Sequence, residues 1–170
     1  MSTVDFSLLP ADARLWIFAA SRPLSADESA ALLGRVDAFV EGWLAHGHPV
    51  VGARDWRYDR FLLVGADERA TGVSGCSIDT LFRVFKELEA QLGAGLLDPC
   101  GVWVRDAAGE IPSAARPEFR ALVQSGEVGE DTVVFNNTIT TVGELLAGKW
   151  EVPVRDSWHA HAFAVGTASA

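Results

Sequence analysis

The sequence predicts an α+β protein with a ferredoxin-like βαββαβ core and a C-terminal α/β extension. The first observation behind this prediction is the order of elements, since short apolar strands and two long helical patterns follow one another as strand, helix, strand, strand, helix, strand. The second is composition: 170 residues, 49% of them hydrophobic and 22% charged, are enough to bury a sizeable core. We expect a single domain, with the core over about 13–106 and the extension over about 107–170.

A strand, a helix and a hairpin make up the first half of the predicted core. The apolar and aromatic run "RLWIFAA" is typical of a short buried strand. Ser25 and Glu28 then have the spacing of a capping box, and the apolar positions behind them recur at helical intervals. Gly47 is expected to close this helix in a left-handed turn. Next, "PVVGARDW" and "RFLLVGAD" predict two strands joined by a tight turn near Tyr58 and Asp59.

The second half of the core begins with another long helix. From Ile78 an apolar stripe that includes Phe82 and Phe85 predicts a helix ending at Gly93, with both rings buried against the sheet. "GVWVRD" is predicted to be the last strand of the core. In the extension, "ARPEFRALVQSG" and "TTVGELLAG" predict helices, "DTVVFN" predicts a strand, and the alternation in "SWHAHAFAV" predicts another strand.

Charge and composition restrict the classes of partner. A net charge of −9 disfavours binding to nucleic acids and to anionic membranes. The N-terminal residues lack the layout of a signal peptide, and the longest strongly apolar run, "LWIFAA", is too short to span a bilayer. The two cysteines, Cys76 and Cys100, have no paired spacing that would indicate a disulfide framework or a zinc ribbon. We therefore expect a cytoplasmic protein with neither nucleic acid nor membrane as a partner; a homo-oligomer is possible but not indicated.

Residues 143–150, "GELLAGKW", imitate a phosphate-binding loop. They fit the pattern G-x-x-x-x-G-K, but Trp150 stands where a serine or threonine must hold magnesium. The middle of the segment favours a helix, in which the backbone amides would bond to the chain rather than to phosphates. The sequence therefore predicts that this segment does not bind ATP.

Six short segments in fixed order resemble a family of small cytoplasmic bacterial proteins of unknown activity, whose members are often labelled automatically as ABC transporter ATPases. The segments are "WLAHG", "RYDRFLLV", "SGCSID", "KELE", "DTVVFNN" and "SWHA", and the resemblance covers about 15–159. It implies a small cytoplasmic protein and no particular reaction. The positions that match the family pattern are His46, Gly47, Arg57, Tyr58, Gly75, Cys76, Ser77, Asp79, Asn136, Asn137, Trp158 and His159; His48 and His161 do not belong to it.

The segment "GCSID" is the candidate site that the sequence favours. Ser77 is expected to cap the second long helix and Asp79 to lie in its first turn, which places Cys76 where a helix dipole stabilises a thiolate. In the predicted topology, His46 ends the first long helix at the same edge and could activate Cys76 as a nucleophile, with His159 as a second candidate partner. The exposed amides of Cys76 to Asp79, flanked by Gly72 and Gly75, could instead bind a small anion, a phosphate or carboxylate, without covalent chemistry.

Two further interpretations stay open at the sequence level. In the first, the protein is a non-catalytic binding or assembly module in which Cys76 is a small buried residue. In the second, the histidines of the two H-x-H pairs bind a metal ion. His159 and His161 would share a face of the predicted strand, whereas His46 and His48 lie in a predicted turn, which does not ensure that geometry. Asn136, Asn137 and Trp158 are additional candidates for lining a ligand site.

Overall fold

The computed structural model describes residues 5–69, 75–98 and 101–166, in which helices alternate with small antiparallel sheets. The chain is therefore an α+β protein, as predicted. It divides into two compact units: unit 1 comprises Met1–Asp98 and Ile139–Leu146, and unit 2 comprises Pro99–Thr138 and Ala147–Ala170. In chain order the elements are β1 (Arg14–Ala19), α1 (Ala26–Glu41), β2 (Leu44–Ala45), β3 (His48–Pro49), β4 (Val51–Arg57), β5 (Phe61–Asp67), α2 (Gly75–Leu92), β6 (Val102–Trp103), β7 (Ser113–Ala114), α3 (Arg116–Ser125), β8 (Val133–Phe135), α4 (Val142–Leu146), β9 (Glu151–Pro153) and α5 (Trp158–Ala162).

Unit 1 is built on a three-stranded antiparallel sheet in the order β1-β5-β4. The central strand β5 is buried over six of its seven residues, consistent with its apolar sequence FLLVGAD. Ser25 and Glu28 form the predicted capping box at the start of α1. This helix packs on the sheet through buried Leu32, Val36 and Val40, and a two-bond ion pair of Arg54 with Asp37, 2.7 Å for each bond, fastens it to β4.

The end of α1 differs from the prediction. The helix stops at Glu41, and the residues up to Pro49 form a small hairpin in which Ala45 pairs with His48. His46 and Gly47 make its two-residue loop with φ values of 51° and 79°, the positive angles that the tightest hairpin turns require. His46 therefore lies in an exposed loop rather than in the last turn of a helix, because a His-Gly pair suits this turn better than a continued helix.

The second long helix is confirmed and ends at Gly93, which has a φ of 59°. Its stripe Leu81, Phe85 and Leu88 is buried, and Phe85 stacks on Phe18 of the sheet with a ring-centroid distance of 4.1 Å. The prediction that Phe82 is also buried was wrong. Its side chain is 37% exposed, because it lies at the margin of the stripe and meets Phe18 only edge-on.

The ferredoxin-like core is not confirmed. Three strands have the expected neighbours, but the segment predicted as the fourth, "GVWVRD", forms β6, pairs with β7 and belongs to unit 2. The outer edge of β1 is instead met by the returning segment 139–146, where the amide of Leu15 donates to the carbonyl of Thr140 at 2.8 Å. Buried Val142 then packs with Leu9, Ala13 and Ala53.

Unit 2 contains the β6–β7 hairpin, the antiparallel strand pair β8–β9, and the helices α3 and α5. An isolated bridge between Val104 and Val134 connects the two strand pairs. The predicted helix α3 ends at Gly126, which has the left-handed conformation common at helix ends. The core of unit 2 consists of Val102, Val104, Phe119, Val128, Val134, Val154, Phe163 and Val165.

The predicted C-terminal strand "SWHAHAFAV" is wrong, because residues Trp158–Ala162 are helical. Side chains two apart on a helix point in nearly opposite directions, so His159 is buried and His161 is exposed. The shared face that the metal interpretation needs at this H-x-H pair is therefore missing. The described residues also contain no group of three or more His, Cys, Asp or Glu side chains able to hold a metal ion.

Candidate functional site

The segment "GCSID" begins α2, but not in the predicted register. The helix starts at Gly75, so Ser77 is a helical residue rather than the residue that precedes the helix. Asp79 is exposed. The side chains of 75–77 lie outside the described part of the structure, as does Cys100, so the predicted approach of His46 or His159 to the Cys76 thiol stays a prediction.

A small pocket lies where α1 ends, beside the second turn of α2. Its volume is 300 Å³, and its walls are Ala38, Phe39, Gly42, Trp43, Leu44 and Thr80. A cavity therefore lies near the edge of unit 1 where the predicted topology brings the ends of the two long helices together. The cavity is lined by apolar groups of α1 and by residues next to the β2–β3 hairpin, not by the imidazole of His46.

Trp43, one of the residues that line this pocket, carries a buried polar group. The side chain is 3% exposed and packs against Phe39 and Trp16 at ring-centroid distances of 5.0 and 5.9 Å. Its indole Nε1 is buried and has no hydrogen-bond partner among the described residues. A buried N–H group without a partner loses its hydrogen bond to water and gains none within the protein, which costs about 1–3 kcal/mol of stability. An unpaired donor in a residue that lines a pocket makes that pocket a candidate site for a ligand with an acceptor atom.

Asn136 and Asn137 are used in the local structure of unit 2. Asn136 Oδ1 accepts hydrogen bonds from the backbone amide and the hydroxyl of Thr138, at 3.3 and 2.6 Å. Asn137 Oδ1 accepts one of 2.9 Å from the indole of buried Trp150, whose ring meets Phe135 edge-on. These contacts stabilise the turn after β8 and fix the position of Trp150.

His159 and Trp158 belong to the core around α5. His159 is 1% exposed and stacks on Trp158 at 3.9 Å, and its Nδ1 is joined to Ser157 Oγ by a hydrogen bond of 2.7 Å. Burial, with a smaller contribution from the charge of Arg116, lowers the pKa of His159 from 6.5 to about 4. The imidazole is therefore neutral at pH 7 and is a weak general base.

This shifted pKa predicts a specific pH dependence of stability. Because the folded pKa of His159 lies below the unfolded value, the unfolded chain binds the proton first, and stability is lost as pH falls from about 6.5 to about 4. We expect a loss on the order of 1–2 kcal/mol after allowing for solvent screening. Denaturant titrations of the wild type and of His159→Phe from pH 4 to 7 measure it as the difference between the two curves. The exposed His161→Gln is the control; a wild-type loss equal to that of His159→Phe would contradict the prediction.

The segment that imitates a phosphate-binding loop has its amides engaged at its start. The amide of Gly143 donates to the carbonyl of Ala11 at 2.7 Å, that of Glu144 to the hydroxyl of Thr141 at 3.2 Å, and that of Leu145 to the carbonyl of Thr141 at 3.3 Å. These N–H groups lie in or before the first turn of α4, as the helical sequence indicates. That this segment does not bind ATP stays a prediction. The structural reason for it is that these amides already bond to other groups of the chain.

A larger cleft, which the sequence did not predict, lies in unit 2. It has a volume of 1110 Å³ and runs between the β6–β7 hairpin, α3 and the start of β8. Val104, Leu122, Val128 and Val133 supply apolar surface, and Asp106, Glu118, Glu127 and Asp131 supply carboxylates. The only sign of it in the sequence is the acidic excess between 106 and 131, because the lining comes from several separate elements.

Comparison with known proteins does not extend this picture. No protein-family model, curated protein or solved structure matches the chain. The family resemblance therefore stays a prediction, and function has to be argued from the geometry alone. In the described ranges, no helix is both long enough and apolar enough to cross a membrane.

Proposed function

We propose that this protein binds a small, largely apolar molecule bearing a hydrogen-bond acceptor in the pocket of unit 1 beside α2. The observation that supports the proposal is that Trp43, which lines a 300 Å³ cavity, has a buried Nε1 donor without a partner in the described part of the chain. This volume suits a ligand at the small end of the usual range. The proposal retains the site expected at the start of the second long helix, although the donor comes from the end of α1.

The other unpaired groups help to single out Trp43. Ser29 Oγ and the indole nitrogens of Trp56 and Trp158 are also buried without a partner in the described part of the chain. None of these three residues lines either of the two cavities described above. Of these four residues, Trp43 is thus the one that both has an unpaired buried polar group and lines a cavity. The proposal concerns binding in unit 1. It depends on the ends of α1 and α2 being neighbours and on no other part of the predicted ferredoxin-like arrangement.

Three compounds of one size test the ligand chemistry: benzoate has a charged acceptor, acetophenone has a neutral acceptor, and toluene has none. Each is titrated into ¹⁵N-labelled protein while the indole N–H signal of Trp43, assigned with Trp43→Phe, is followed. We expect benzoate or acetophenone to shift this signal, and Trp43→Phe to weaken binding about fivefold, the value of a single hydrogen bond.

Trp56→Phe is the matched control, since Trp56 has an equally unpaired indole on β4 but does not line the pocket. It should leave the affinities unchanged. Toluene binding as tightly as acetophenone, or an unmoved Trp43 signal at millimolar ligand, would refute the proposal. Preference for benzoate over acetophenone would identify the ligand as an anion, as the sequence suggested for a site near "GCSID".

Catalysis by Cys76 is a second candidate, and it rests on the position of this residue in the first turn of the 18-residue helix α2. Alkylation by iodoacetamide in a Cys100→Ser background, measured across pH, tests it. A labelling midpoint well below the ordinary thiol pKa of about 8.5 would support a reactive thiolate. A thiol that stays unlabelled until the protein unfolds would leave Cys76 as a structural residue of a non-catalytic binding protein.

A further inference from the structure

The cleft of unit 2 is independent of the pocket beside α2 and combines an apolar surface with an acidic rim. We propose that it is a second binding site, whose ligand is a small organic cation: an amine attached to an apolar body. Its volume of 1110 Å³ is at the upper end of the range for small-molecule sites. Two features define the ligand, the apolar side chains of the walls and the charges around them.

The apolar wall is continuous with the core of unit 2. Val104 and Val128 are buried core residues that also line the cleft, and Leu122 of α3 and Val133 of β8 are half-buried beside them. A ligand with an apolar body would cover this surface and gain about 25 cal/mol for each Å² removed from water. An inorganic ion would leave it exposed, so the ligand is organic.

Three of the rim carboxylates keep one oxygen unoccupied. Asp106 accepts two backbone amides through Oδ1 alone, at 2.9 Å each; Glu118 accepts the amide of Ala115 through Oε2, and Glu127 accepts the hydroxyl of Ser125 through Oε1. Their second oxygens have no partner among the described residues. These bonds orient the three carboxylates.

The cations around the cleft do not neutralise this rim. Among the described residues that line the cleft, Arg105 is the only lysine or arginine. Its guanidinium already binds Glu151 at 2.8 Å and the carbonyl of Gly109 at 3.1 Å. The fourth carboxylate, Asp131, is paired with Arg155 and is therefore not counted among the uncompensated charges. Three uncompensated negative charges thus surround an apolar wall, which favours a cationic head group and repels an anionic one.

Three compounds with the same phenylbutyl body isolate the charge of the ligand: 4-phenylbutylamine, 4-phenylbutanol and 4-phenylbutyrate. Their dissociation constants for the full-length protein are measured by calorimetry at low salt. We expect the amine to bind about tenfold more tightly than the alcohol, the butyrate to bind most weakly, and the preference to shrink when salt is added.

Variants that remove charge but keep the hydrogen bonds locate the site. Glu127→Gln should weaken amine binding about threefold and Glu118→Gln/Glu127→Gln about tenfold, with little effect on the alcohol. Glu110→Gln is the matched control, because Glu110 is an exposed carboxylate of unit 2 outside the lining. Thermal unfolding of each variant checks that folding is unchanged, and Asp106→Asn replaces any variant that fails.

The proposal is overturned if none of the three compounds binds at millimolar concentration, or if the alcohol and the butyrate bind as tightly as the amine. An equal loss of affinity in Glu110→Gln and Glu127→Gln would also overturn it, because general charge attraction would then explain the preference. A dimer that dissociates in Leu122→Glu would assign the cleft to a second copy of the chain instead. Each result is independent of the Trp43 pocket, which lies in the other unit.

Discussion

Replacing Phe85 with alanine is expected to lower the free energy of unfolding by about 3–5 kcal/mol. The ring of Phe85 is fully buried between α2 and the sheet and stacks on Phe18 at 4.1 Å, so its removal leaves a cavity that rigid neighbours cannot fill. Equilibrium denaturation in urea, followed by circular dichroism, measures the loss.

Phe82→Ala is the control for this effect. Phe82 is the same residue type on the same helix, and it also contacts Phe18, but its side chain is 37% exposed. We expect a loss of about 1 kcal/mol, typical of substitutions outside the core. If the two variants lost the same stability, the assignment of the buried face of α2 would be incorrect.

Trp150→Ser is expected to destabilise the protein by about 3–5 kcal/mol, although it completes the G-x-x-x-x-G-K-[ST] pattern. The indole of Trp150 is 2% exposed, packs edge-on against Phe135, and donates a hydrogen bond to Asn137. The position where a nucleotide-binding loop has its magnesium ligand is here a buried aromatic side chain of unit 2. Urea denaturation monitored by circular dichroism gives the stability.

Trp150→Phe separates packing from hydrogen bonding, because it retains a ring but loses the hydrogen bond to Asn137. It should lower the free energy of unfolding by less than Trp150→Ser. Calorimetric titration with ATP and magnesium is expected to show no binding by the wild type or by Trp150→Ser at a temperature where each is folded. ATP binding that depends on magnesium and disappears in Lys149→Ala would contradict this prediction.

The elements that the sequence predicted correctly are those with local signals. The capping box at Ser25 and Glu28, the stripe ending at Gly93 and the helix ending at Gly126 each depend on residues within a few positions of one another. The five residues of α5 are too few to show a helical period, so the alternation from Trp158 to Phe163 imitated a strand.

Strand pairing and the sites depend on contacts between distant residues. Nothing in "GVWVRD" indicates that its partner is Ser113–Ala114 rather than β1, since both choices bury the same valines. The pocket lies where the ends of α1 and α2 are neighbours, but nothing in the sequence distinguishes Trp43 from an ordinary buried aromatic residue. The cleft of unit 2 was missed because its acidic residues appear in the sequence as ordinary surface charges.

The path of the chain through the two units restricts how the protein can be divided. A fragment ending at residue 98 would contain every strand of the β1-β5-β4 sheet but would lack residues 139–146. It would leave the amide of Leu15 without the carbonyl of Thr140 and would expose the apolar surface that Val142 covers. An independently expressed unit 1 therefore requires a linker that joins residue 98 to residue 139. Such a chimaera, rather than a simple truncation, is the reagent with which ligands of the Trp43 pocket can be studied in isolation.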